Sequence, residues 1–214
     1  MITIQSFTFN PFAENTYLLY DETKECVIID PGCYEDYEKN ELQQFISSNG
    51  LKVVQLLNTH CHIDHVFGNE FIKRTYGVHL SIHKLDEVTL NAVPSYAEPY
   101  GFRNYEPSVA DNFLEEGDCI TFGKSKIEVV FVPGHAPGHV AFYNLEENFC
   151  IAGDVLFNGS IGRTDLPGGN HDQLITSIQT KFFKWNDSMI IHCGHGPSTT
   201  IGKEKRTNPF CAIQ

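Results

Sequence analysis

Residues 57–71 read "LNTHCHIDHVFGNEF". His60, His62, Asp64 and His65 crowd into six positions directly after the apolar run "KVVQLL". A core cannot bury that many unpaired titratable groups, and an ordinary surface loop has no need of them. The stretch therefore constrains the fold, because the strand it follows must end where other segments can bring partners. His60 and His62 stand at i and i+2, so an extended backbone carries both on one side, able to meet a single cation. Asp64 and His65 follow where the chain turns into a helix, and can face a second centre beside the first. Imidazole with carboxylate suits Zn²⁺ and also admits Fe²⁺ or Mn²⁺.

Three more segments end apolar strands in the same way. "VPGHAPGHVAF" offers His135 in a Pro/Gly turn, and "IAGDVLF" puts Asp154 where an unpaired carboxylate would be costly. "HCGHGP" places His195 in a Gly-flanked loop. Seven candidate ligands thus come from four segments. His139 is expected to hydrogen-bond a ligand rather than be one. His192 is expected to point the other way along its strand, and His79, His83 and His171 lack metal-like company. Cys61, inside the ligand loop, reads as a buried thiol, and Cys193 has little reach to the site.

The rest of the pattern alternates sheet and helix. "ITIQSFTFN", "NTYLLYD", "ECVIIDPG" and "LKVVQLLN" read as strands. "YEDYEKNELQQFISSNG" and "FGNEFIKRTYG" read as helices stopped at Gly50 and Gly77. "VHLSIH", "CITFG", "KIEVVFVP", "HVAFYNL" and "FCIAGD" are further strands, and "HDQLITSIQTKFFKW" is a helix capped by Asn170 with Gln173 in capping-box spacing. "SMIIHCGHGP" is a last strand. Two strand-rich halves with helices predict a layered α/β sandwich covered by helices on both outer faces, built as one domain over residues 1–214. The segment 91–112, with Pro94, Pro99 and Pro107 among Tyr96, Tyr100, Phe102 and Tyr105, is expected to be a long loop, either plugging the core or closing over a substrate.

Composition narrows the partners. A formal charge of −12 argues against nucleic acid, which needs a basic face. No stretch approaches the roughly 18 apolar residues of a membrane span, and the N-terminus lacks the pattern of a secretion signal. Seven cysteines without a CxxC pair fit reduced thiols, so a cytoplasmic protein with a small-molecule substrate is expected.

The ordered set "THCHIDH", "PGHAPGH", "AGD" and "CGHGP", with "VIIDPG" upstream, resembles the metallo-β-lactamase superfamily and, within it, the glyoxalase II-like hydrolases. The resemblance runs from about residue 15 to the "NPF" near the C-terminus. It implies a four-layer αββα sandwich of two mixed sheets, with a dinuclear site along their edge. By that resemblance His60, His62 and His135 hold one divalent ion, Asp64, His65 and His195 the other, and Asp154 bridges them. Asp30 would brace the metal loops, and Arg163 in "GRTD" would contact substrate or support a ligand from behind.

Two cations about 3.5–4 Å apart lower the pKa of a shared water from 15.7 toward about 7. That yields a nucleophile without Ser or Cys, with Asp64 also orienting it. The resemblance implies a thioester substrate such as S-lactoylglutathione. The chain stops soon after "GKEKRTNPF", however, where larger glyoxalase II enzymes carry a helical region that contacts glutathione. Three alternatives share the resemblance. One is a persulfide dioxygenase with a single iron on His60, His135 and Asp154. The others are a lactone or β-lactam hydrolase and a nuclease.

Overall fold

The computed structural model describes residues 1–213. Strands β1 (Thr3–Phe9), β2 (Glu14–Tyr20) and β3 (Glu25–Ile29) are followed by α1 (Asp36–Ser48), β4 (Lys52–Leu57) and the single turn α2 (Ile63–Val66). Next come α3 (Asn69–Tyr76), β5 (Leu80–His83), α4 (Glu87–Ala97) and β6 (Asn112–Leu114). The second half contains β7 (Cys119–Phe122), β8 (Ser125–Phe131), β9 (Val140–Asn144) and β10 (Phe149–Gly153). A small hairpin of β11 (Leu156–Phe157) and β12 (Ser160–Ile161), then α5 (His171–Thr180), β13 (Ile190–Cys193), β14 (Thr199–Thr200) and α6 (Ile201–Thr207) complete it.

Two six-stranded sheets form, ordered β1-β2-β3-β4-β5-β6 and β14-β13-β10-β9-β8-β7. Leu19, Val27, Ile29 and Leu57 meet Ile127, Val129, Phe142 and Ile151 between them. On the outer face of the first sheet, Leu42, Ile72, Leu90 and Val93 of the helices pack on Ile28, Leu56 and Leu80. On the second, Leu174, Ile178 and Ile201 pack on Val130, Ala141, Cys150 and Ile191. Each central strand is covered on both faces, which is why β4 is apolar at both Leu56 and Leu57 rather than alternating. The four-layer αββα sandwich expected from the resemblance is what the chain forms.

Strand direction positions the site. β10 runs parallel to β13, and both β8 and β10 are antiparallel to β9, so β8, β10 and β13 share one direction. Their C-terminal ends lie at one edge of the second sheet and carry His135, Asp154 and His195. β4, parallel to β3 and β5, brings the histidine-rich loop to them from the first sheet.

Some local expectations are corrected. The helix foreseen at 67–77 begins only at Asn69 and ends at Gly77, φ 68°, while Asp64 and His65 lie in the separate turn α2. The helix foreseen at 171–185 stops at Thr180, with a 3₁₀ turn over Phe182–Lys184. Asn170 caps it by accepting the Gln173 N–H at 3.0 Å. The long loop expected at 91–112 is helical as far as Ala97, with Pro94 inside α4. An interior proline costs about 3 kcal/mol, and burying Leu90 and Val93 contributes about 1.5–3 kcal/mol each, so tertiary packing outweighs the local penalty. Beyond it Phe102 is a core residue, packed on Tyr34, Phe67 and Phe12, while Tyr100 is exposed. Among the described residues no helix is long and apolar enough to cross a membrane.

Candidate metal centre

The seven residues from four segments converge. His135 Nε2 lies 3.2 Å from His60 Nε2 and 2.9 Å from His62 Nδ1. Nitrogens about 2.0–2.1 Å from a tetrahedral ion sit about 3.3 Å apart, so these three lone pairs are spaced to share one cation. Asp64, His65 and His195 form a second such group. Within it His195 Nε2 is 3.2 Å and His65 Nε2 3.6 Å from Asp64 Oδ2. Asp154 stands between the groups, with Oδ2 3.5 Å from both His135 Nε2 and His195 Nε2, and Oδ1 3.5 Å from His65 Nε2.

Two of these atoms carry the test of fit. His65 Nε2 and Asp154 Oδ1 are buried with no hydrogen-bond partner. Such orphaned atoms are costly, and a cation answers both. A Cβ on Gly194 would collide with Asp154 Oδ1, so backbone without a side chain is required against the bridging carboxylate. The donor set fits divalent ions of the zinc, iron or manganese type.

Electrostatics divides the groups. Burial, with the neighbouring imidazoles, holds His60 well below its ordinary pKa and His62 down to about 3, so both are neutral. Burial also opposes protonation of His65 and His195, but the carboxylates overcome it. Asp64, Asp154 and Asp30 carry His65 up to about 9, and Asp154 with Asp64 carry His195 up to about 11. Burial raises Asp64 and Asp154 in turn, and the imidazolium of His65 reverses it, leaving both lowered.

Around the donors lies a buried scaffold. Asp30, 1% exposed, accepts from the Thr59 N–H at 2.7 Å, Thr59 Oγ1 at 2.6 Å and Asn58 Nδ2 at 3.3 Å, and stands 3.2 Å from His65 Nδ1. Thr59 Oγ1 in turn lies 3.1 Å from His60 Nδ1. With His60 and His65 both donating from Nδ1, one carboxylate turns an Nε2 toward each group, and in His65 that atom offers a lone pair once its proton leaves. Asp30 therefore braces the loop, as expected. His139 Nε2 accepts the Asp154 N–H at 3.0 Å and its ring stacks on His60, again the supporting place foreseen. The His195 loop is held by β2: Asn15 N donates to Gly194 O at 2.7 Å, and Tyr17 Oη to Cys193 O at 2.6 Å.

Arg163 meets the site through its backbone. Its carbonyl accepts His135 Nδ1–H at 2.7 Å, while its exposed guanidinium is clasped by Asp165 at 2.7 Å twice. His192 turns away, toward Ser198 and the rings of Tyr17 and Phe149. His79 is exposed near Asp111, His83 stacks on Phe131, and His171 begins α5. The thiols of Cys61 and Cys193 are buried. Two residues escape sequence reasoning. Glu14 is wholly buried, its Oε1 3.9 Å from His65 Nδ1; burial, then Asp30 and Asp64, raise its pKa well above the ordinary value. Asp86, also wholly buried, bonds to the backbone of two ligand loops. Neither stands in a motif, and only the folded chain brings them here.

An edge at which both sheets feed one buried donor cluster defines the class, a protein with a site built to hold metal ions. The chain belongs to the metallo-beta-lactamase superfamily, whose family model matches residues 9–195. Members of that superfamily typically bind two metal ions. The chain is 38% identical over 211 residues to the protein named hydroxyacylglutathione hydrolase GloC of Haemophilus influenzae, covering 98% of each. Among solved structures, a B3 metallo-beta-lactamase named BLEG-1 superposes with a TM-score of 0.87 at 34% identity, over 99% of this chain and 100% of that one. The protein TTHA1623, in a di-iron-bound form, superposes with a TM-score of 0.85 at 36% identity, over 96% and 99%.

Proposed function

We propose that the protein is a dinuclear thioester hydrolase of glyoxalase II type, acting on S-hydroxyacyl thiol conjugates such as S-lactoylglutathione. The end-to-end likeness to a protein named hydroxyacylglutathione hydrolase, on a chain that keeps all seven donors together, carries this reading.

His60, His62 and His135 would hold one ion, Asp64, His65 and His195 the other, and Asp154 both. Bound there, two divalent ions supply a water ionised near neutral pH and an electrophile for a carbonyl oxygen. Asp64 lies against His195 and His65 through Oδ2, and its carboxylate would also orient the attacking water by hydrogen bonding. Phe157, its ring centroid 6.2 Å from that of His195, gives an apolar flank for substrate. The exposed side chain of Arg163 is the candidate for a polar substrate contact. The substrate is a small molecule, and a cytoplasmic location, supported by seven free thiols, belongs to the same proposal.

The test is hydrolysis of S-lactoylglutathione by metal-loaded protein against a His60→Ala variant. A rate at least a hundredfold higher in the parent supports the reading, and equal rates would end it. The likeness to a B3 metallo-beta-lactamase favours one second reading. Faster turnover of nitrocefin than of any thioester would put β-lactam hydrolysis in its place. One iron per chain with oxygen uptake on a persulfide would instead mark a dioxygenase.

A further inference from the structure

We propose that Asp86 is a positioning residue for the cation held by His60, His62 and His135, because its carboxylate joins the two loops that supply those histidines. Oδ2 accepts the Cys61 N–H at 2.5 Å, and so fixes the peptide between His60 and Cys61. Oδ1 accepts the Gly138 N–H at 3.1 Å, three residues from His135. The first loop follows β4 in one sheet and the second follows β8 in the other. A single buried side chain therefore bridges the sandwich at the point where the first ion's ligands must be held in register.

Two observations make this more than incidental packing. A Cβ on Gly138 would collide with the Asp86 backbone, so the loops approach as closely as a glycine permits. Thr89 Oγ1 donates to Asp86 Oδ1 at 3.1 Å, locking the carboxylate from the first turn of α4. The second group of donors has no such link to Asp86; its orienting carboxylate is Asp30, on His65. Loss of Asp86 should consequently act on one ion and spare the other. Mis-set ligands lose affinity steeply, because partners behind metal ligands are worth about 10–100-fold each.

The proposal rests on the two-ion reading of the site but not on the substrate, so its test reads metal. Co²⁺ is titrated into the metal-free full-length protein and followed by its visible absorption and by chelator competition. A His62→Ala variant identifies the step that belongs to the first ion. In Asp86→Asn one oxygen becomes an N–H donor facing a backbone N–H, and affinity for the first ion should fall about 10–100-fold, with the second unchanged within threefold. Thr89→Val, a milder change that keeps the carboxylate, should give the same asymmetry at smaller size. Leu90→Ala on the same helix is the control for lost stability and should lower Tm without separating the two affinities. Equal weakening of both ions in Asp86→Asn, or none, overturns the proposal. If Asp86→Asn does not fold, a Thr89→Val variant with both affinities unchanged overturns it. Failure of the thioester assay with this asymmetry intact would remove the substrate assignment alone.

Discussion

Replacing Asp30 with Asn tests whether one carboxylate tunes both metal positions. In the wild type Oδ1 accepts from Thr59 N and Asn58 Nδ2, while Oδ2 faces Thr59 Oγ1 at 2.6 Å and His65 Nδ1 at 3.2 Å. An amide can keep the first pair. Its NH₂ then meets two donors where the carboxylate offered an acceptor. Hydrogen bonds to a charged group contribute about 1.5–3 kcal/mol. The known range for a lost partner behind a metal ligand, about 10–100-fold, is about 1.4–2.7 kcal/mol, so the two routes agree. Asp30→Asn should therefore weaken both ions by one to two orders of magnitude, measured by chelator competition at pH 7. Thr59→Val removes the hydroxyl that links Asp30 to His60 but leaves the Asp30–His65 contact, and should weaken the first ion more than the second. Affinities for both ions within threefold of wild type in Asp30→Asn would refute the reasoning, since the imidazoles would then orient themselves without it.

Protonation should separate the two ions. His65 and His195, carried up to about 9 and about 11, hold protons at pH 7, whereas His60 and His62 do not. Titration calorimetry in buffers of different ionisation heat should show at least two protons leaving with the second ion and none from the first group's histidines. The second ion should weaken as pH falls from 9 to 6, because more protons must be displaced. Greater release with the first ion would contradict this assignment. Phe102 and Tyr100 should behave oppositely. Phe102→Ala opens a cavity against Tyr34 and Phe67 and should cost about 3 kcal/mol in denaturant unfolding. Tyr100→Ala, at an exposed position, should leave stability within about 0.5 kcal/mol. A raised KM in Tyr100→Ala would mark it as a substrate contact, and unchanged kinetics would make it plain surface.

The cluster of donor side chains was legible in the chain because metal chemistry admits few side chains and because each stands at the end of an apolar strand. Spacing alone put His60 and His62 on one side, and Pro/Gly turns marked the loops of His135 and His195. The layered sandwich was readable because two strand-rich halves each carry helices, and a sheet must cover its apolar faces. Residues 91–97 were misread because Pro94 is a strong local signal, overridden only by the burial of Leu90 and Val93. Which edge the four loops share depends on β8, β10 and β13 running one way, and strand pairing is not written in any single segment. The same holds for Asp86 and Glu14, carboxyl groups with no motif around them. Their roles come from what burial places beside them, and a partner far away along the chain becomes near only once the two sheets close on each other.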